Sequence, residues 1–121
     1  MRRLLLAILV TVVVLSLTHI PQAKMPQVLM AGGLDKFEHV GAYGLVALCY
    51  LLAVKRSVGL RVPLAIVLVL AGLAAMDEVT QPLVHRTCDI MDWASDAIGI
   101  TLACIAAAAI RRWKGATKSS D

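Results

Sequence analysis

Ile90-Met91-Asp92-Trp93-Ala94-Ser95-Asp96-Ala97-Ile98-Gly99-Ile100-Thr101-Leu102-Ala103-Cys104-Ile105-Ala106-Ala107-Ala108-Ala109-Ile110 is the stretch that decides the fold class. Two aspartates open it, the rest is uncharged, and Arg111-Arg112 follow at once. Its length matches the roughly 20 residues with which an α-helix crosses about 30 Å of hydrocarbon. Three earlier runs share this character, at residues 4–20, 37–54 and 62–76, the last extending to Gln81. Barrel strands would be about 10 residues long with alternating polarity, which these runs lack. With 60% hydrophobic and 17% charged residues in a 121-residue chain, too little polar surface remains to clothe a soluble bundle. The expected class is all-α: a polytopic membrane protein built as a four-transmembrane-helix bundle. One domain should cover residues 1–114, with helices at about 4–20, 36–54, 62–81 and 90–111 and a disordered cytoplasmic tail at 115–121.

Charge placement orients this bundle. Arg2, Arg3, Lys55, Arg56, Arg61, Arg111, Arg112, Lys114 and Lys118 fall at one end of the runs, nine of the twelve Lys/Arg. The positive-inside rule assigns that end to the cytoplasm, with both termini. Lys24, Lys36 and Arg86 lie at the other end with seven of the eight acids. The net charge of +4 therefore reflects topology, and nucleic acid is not an expected partner. The lipid bilayer is, in the bacterial cytoplasmic (inner) membrane. The first run has the Arg-Arg start of a signal peptide. No convincing small-x-small cleavage site follows it, Thr18-His19-Ile20-Pro21 being a poor candidate, so it is expected to stay as a helix.

Links and small residues add detail. Pro21, Pro26 and Gly32-Gly33 break the outer link 21–34, within which residues 27–30 are apolar enough to rest in the interface. The inner link 55–61 is short and makes the second and third helices antiparallel neighbours. Pro82 ends the third helix. Gly41, Gly44, Ala47, Ala71, Ala74, Ala103 and similar residues suit close helix contact. Cys49 and Cys104 read as small apolar side chains, Cys88 as a loop thiol, and no disulfide is expected. Trp93 and Trp113 read as interface anchors, and His85 as a loop residue.

The acids cluster in three patches, Asp35 to Glu38, Asp77-Glu78, and Asp89 to Asp96. Ionisable groups at membrane depth are costly and mark functional sites by default. Counting from the basic ends at about 1.5 Å per residue puts His39, Asp77 and Asp96 roughly 23–24 Å above the inner boundary, in one layer. Asp35, His39 and Tyr43 are spaced i, i+4, i+8; Asp77 and Gln81 are i, i+4 with Glu78 beside them; Asp89, Asp92, Asp96 and Gly99 step by 3, 4 and 3. Each set is one helix face. Lipid offers no hydrogen-bond partners, so the three faces should meet. Plain helix glue would explain part of this, but interhelical hydrogen bonds in membranes average only about 0.6 kcal/mol. Apposed carboxylates also repel unless a proton or cation intervenes.

The pattern Asp35-Lys36-x-x-His39-x-x-x-Tyr43, Asp77-Glu78-x-x-Gln81, then Arg86, Asp92, Asp96 and Gly99 resembles the VanZ-like family. The resemblance covers residues 35–99, and the His19-Ile20-Pro21 end of the first run is similar in character. It implies a small bacterial integral membrane protein of about four helices, from a family named for a member that lowers sensitivity to teicoplanin. It also favours Asp35, His39, Asp77, Glu78 and Asp92 over Glu38 and Asp89 as site residues. The family usually carries Asn where this chain has Asp96, which adds a carboxylate here.

Two functional expectations follow. In the first, an outward-facing carboxylate pocket formed by Asp35, Lys36, His39, Tyr43, Asp77, Glu78, Gln81, Arg86, Asp92, Asp96 and Gly99 binds an envelope lipid, cell-wall precursor or lipophilic glycopeptide. No cofactor is required for that. In the second, a membrane hydrolase or transferase acts on a lipid-linked substrate. A divalent cation on Asp77, Glu78, Asp92 and His39, or His39 as general base, would serve it; no HExxH spacing is present. A small transporter subunit is a third reading, disfavoured because the inner half of every run lacks ionisable groups. A homo-oligomer interface could complete such a path.

Overall fold

The computed structural model describes residues 1–24, 34–55 and 59–117. Among these residues the chain is all-helical: α1 (Arg2–Thr18), α2 (Leu34–Ala53), α3 (Arg61–Thr80) and α4 (Ile90–Thr117), with 3-10 turns at Gln22–Lys24 and Gln81–Val84. No strand occurs among them. α4 runs through Thr117, so residues 115–117, expected to be disordered, are helical. Gly115 costs a helix only about 1 kcal/mol and no proline stops the chain there. Residues 118–121 lie outside the described residues, as do the apolar segment 27–30 and the glycine pair at 32–33.

Two segments, Arg61–Val84 and Ile90–Trp113, are long and apolar enough to cross a membrane, with mean hydropathy 2.0 and 1.7. Only 22% and 33% of their most apolar windows are buried inside the protein. A core helix of a soluble protein would be mostly buried, whereas these present Leu64, Leu68, Val69, Ile98, Leu102 and Ile105 outward. α1 does the same with Leu5, Leu9 and Val12. Continuous apolar exteriors of this kind call for an apolar partner.

α2 is central. It packs most extensively on α4, next on α1, and less on α3, which leans on α4 instead. α2 and α3, expected as neighbours across the short inner link, are in contact, but the most closely packed pair is α2 and α4. The reason is the crossing at Gly99. A Cβ there would strike the Val40 carbonyl oxygen and lie 3.0 Å from the Gly44 nitrogen, so the backbones nearly touch. Below the crossing lies an apolar core of Val14, Tyr43, Val46, Ala47, Leu51, Leu70, Ala74, Ile100, Ala103 and Ala107. Trp93 is not a simple interface anchor: its indole N–H donates to the Ala71 carbonyl at 3.3 Å and ties α4 to α3. At the basic end Arg111 donates to the Leu51 and Val54 carbonyls, closing the carboxyl end of α2. All three cysteines are free.

Candidate functional site

Each helix that builds the site carries one buried stripe whose character changes along its length. α2 buries His39 and Tyr43, then Val46, Ala47 and Leu51. α3 buries Leu70 and Ala74, then Asp77 and Glu78, and the following turn buries Gln81. α4 buries Asp92, Ser95 and Asp96, then Ile100, Ala103 and Ala107. Spacings of three and four keep each stripe on one face, so the apolar halves that hold the helices together also align the polar halves. Asp96 is fully buried, and His39, Asp77, Glu78 and Gln81 are nearly so.

Two networks share this layer. In the first, His39 bridges α2 to α4 and α3. Its Nδ1 lies 2.9 Å from Asp96 Oδ1 and 3.8 Å from Glu78 Oε1; its Nε2 lies 3.6 Å from Asp92 Oδ2. Gln81 Nε2 donates to Glu78 Oε1 at 2.9 Å, and the Asp89 backbone N–H donates to Glu78 Oε2 at 3.2 Å. Asp96 Oδ2 and Gln81 Oε1 are buried without a hydrogen-bond partner. In the second, Asp77 gathers three elements. Its Oδ2 accepts from the Tyr43 hydroxyl at 3.1 Å and its Oδ1 from the Thr18 hydroxyl at 2.9 Å, with His19 Nδ1 3.2 Å away. His19 Nε2 lies 3.0 Å from Thr80 Oγ1.

Lys36 closes the mouth of this layer. Its ammonium donates to Asp92 and to Asp89 Oδ2 at 2.7 Å, and Asp35 Oδ2 lies 3.2 Å away. Asp89, in the link before α4, is held below the usual carboxylate range by that Lys36 hydrogen bond, with help from the Met91 N–H. The mouth is partly open: the Lys36 side chain is 31% exposed and that of Asp89 40%, against 8% for Asp92.

The expected members thus meet, with differences of role. Asp35, Lys36, His39, Tyr43, Asp77, Glu78, Gln81, Asp92 and Asp96 form the two networks and their mouth. Arg86 does not face the carboxylates; its Nη1 donates to the Thr18 carbonyl at 3.0 Å and closes the end of α1. His85, expected to be a loop residue, follows the Gln81–Val84 turn in the left-handed conformation, φ 60. Gly99 is the helix crossing rather than a ligand-facing residue. Asp89, which the resemblance disfavours with Glu38, nonetheless bonds Lys36 through its carboxylate and Glu78 through its backbone N–H; Glu38 is exposed.

The expected cation set was Asp77, Glu78, Asp92 and His39. Among the described residues, the donor atoms that come within 4.8 Å of one another belong to His39, Glu78 and Asp96. Asp77 is occupied by hydroxyls and His19, and Asp92 by Lys36. Thr18 and Thr80 were not foreseen as site residues. Their only signal was position, as hydroxyls at the acidic ends of two apolar runs. No family model, curated protein or solved structure matches this chain.

Proposed function

We propose that the chain is a VanZ-like integral membrane protein of the bacterial cytoplasmic membrane, spanning it with four helices and placing both termini in the cytoplasm. Its polar end faces outward and binds the head group of an envelope lipid, a cell-wall precursor or a lipophilic glycopeptide of the teicoplanin type. The observation that carries this reading is Lys36, a half-exposed ammonium held among Asp35, Asp89 and Asp92 at the mouth of a buried carboxylate layer. Glue between helices would not need a cation at the surface with three acids around it. Exposed apolar flanks on α1, α3 and α4 support the bilayer setting.

Head-group binding is tested in nanodiscs with a lipid-linked pyrophosphate precursor and with an anionic phospholipid. Lys36→Met and Asp92→Asn should each weaken binding of the preferred lipid about tenfold or more, a loss of about 1.4 kcal/mol per decade. Affinity equal to wild type in both variants would sink the reading. Orientation has an independent handle in Cys88, which is exposed in the outer link. A membrane-impermeant maleimide should label Cys88 in intact spheroplasts, and Cys88→Ala should abolish the signal. Labelling only after lysis would reverse the topology.

A second reading, a hydrolase or transferase on a lipid-linked substrate, draws support from His39, whose two ring nitrogens face Asp96 and Asp92. A carboxylate that orients an imidazole is the usual arrangement around a general base.

A further inference from the structure

Four carboxylates, Asp77, Glu78, Asp92 and Asp96, are buried within one layer. Their neutralisation is uneven. Asp92 has Lys36, and Asp77 has two hydroxyls and His19. Glu78 and Asp96 have one imidazole between them, and Asp96 Oδ2 has nothing. A second acceptor, Gln81 Oε1, is also buried without a donor, on the very amide whose nitrogen holds Glu78. Buried acceptors in native proteins almost always have a partner, and one left over calls for an ion or water.

We propose that His39, Glu78 and Asp96 bind a divalent transition-metal ion of the Mn²⁺ or Zn²⁺ class. The donor set gives the class: one imidazole with carboxylate oxygens suits these ions, whereas Ca²⁺ takes six or more oxygens. Distance agrees. Ligands at about 2.1 Å from one ion are separated by at most about 4.2 Å, and the three donor atoms already lie within 4.8 Å of one another. Small side-chain rotations close the difference. One ligand comes from each of α2, α3 and α4, so the site exists only in the assembled bundle. Gln81 Nε2 and the Asp89 backbone N–H orient Glu78 from outside the ligand set, as partners of metal ligands commonly do.

The ion also sharpens the head-group reading, on which this last step rests. An acidic layer alone would repel phosphate. A three-ligand ion keeps a coordination position for an incoming oxygen. With Lys36 at the mouth, it makes the site one for a phosphate or pyrophosphate group.

Purified full-length protein in detergent, dialysed with Mn²⁺ or Zn²⁺ and then freed of loose ion, should retain about one ion per chain by elemental analysis. Bound Mn²⁺ should show an altered electron paramagnetic resonance spectrum. Asp96→Asn, which keeps shape and removes charge, should weaken binding at least tenfold, and His39→Gln likewise. Glu38→Gln removes an exposed acid at the same end and should leave affinity within about twofold. The proposal is overturned if wild type retains no stoichiometric ion, or if Glu38→Gln costs as much as Asp96→Asn. It is also overturned if Asp96→Asn binds as well as wild type while folded by circular dichroism. An ion that binds without improving phosphate-lipid affinity would overturn only the pyrophosphate step and leave the metal site standing.

Discussion

Gly99→Ala is expected to destabilise the protein by about 3 kcal/mol, the upper end of the usual range for overpacking, and Gly99→Val is expected to prevent assembly of α2 on α4. In an open helix Gly→Ala gains up to about 1 kcal/mol, because alanine restricts the unfolded chain and suits the helix. At Gly99 that gain is overwhelmed. The new methyl meets the Val40 carbonyl and the Gly44 nitrogen, which are backbone atoms that cannot rotate aside. Relief requires the two most closely packed helices to separate, which also pulls His39 from Asp96 and Asp92. Gly41 and Gly72 supply the internal standard: a Cβ at either meets nothing within 4 Å. Gly41→Ala and Gly72→Ala should therefore be neutral or slightly stabilising. Gly44→Ala, 3.2 Å from the Gly99 oxygen, should fall between. Thermal unfolding in detergent ranks all four. A Gly99→Ala midpoint at or above that of Gly41→Ala would refute the close crossing.

The features that repeat along a helix were legible in the sequence, and those that depend on one contact were not. Regular steps of three and four put His39 with Tyr43, Asp77 with Gln81 and Asp92 with Asp96, and residue counting placed them at one depth; the structure brings them together. Which carboxylate faces which partner could not be read that way. Asp77 and Asp96 are equivalent by depth, yet Asp77 turns to Tyr43 and Thr18 while Asp96 turns to His39. That choice depends on how α1 approaches, and α1 offers no acid of its own to signal it. A serine or threonine within a helix ordinarily bonds its own carbonyl three or four residues back, as Ser16 does with Val12. Thr18 looked no different until its second partner was visible. Arg86 misled for a related reason. A cation beside acids suggests ion pairing, but the uncapped carbonyl at the end of α1 competes for it and wins.

Asp77→Ala should release α1 from the bundle and cost about 2 kcal/mol, within the range for leaving a buried donor without its acceptor. α1 buries only Ala7 and Val14 along its length, so apolar packing holds it weakly. Polar ties must supply much of the remainder, through Thr18 and His19 to Asp77, Arg86 to the Thr18 carbonyl, and Thr11 to the Tyr50 hydroxyl at 3.4 Å. Removing the Asp77 carboxylate leaves the Tyr43 hydroxyl without its acceptor, at about 1–3 kcal/mol for an orphaned group, while the Thr18 hydroxyl keeps the Leu15 carbonyl at 3.1 Å. Asp77→Asn should cost less, since one amide oxygen still accepts and either hydroxyl can turn to accept from the amide. Thr18→Val removes the donor instead of the acceptor. If the two side chains act as a pair, the double variant Thr18→Val/Asp77→Ala should be less destabilised than the sum of the singles by about 0.5 kcal/mol or more. Unfolding midpoints give the energies, and amide hydrogen exchange gives the location. Protection should fall in α1 while α2 and α4 stay protected. Loss spread evenly over all four helices would mean that Asp77 supports the whole core and that α1 is held by its apolar face.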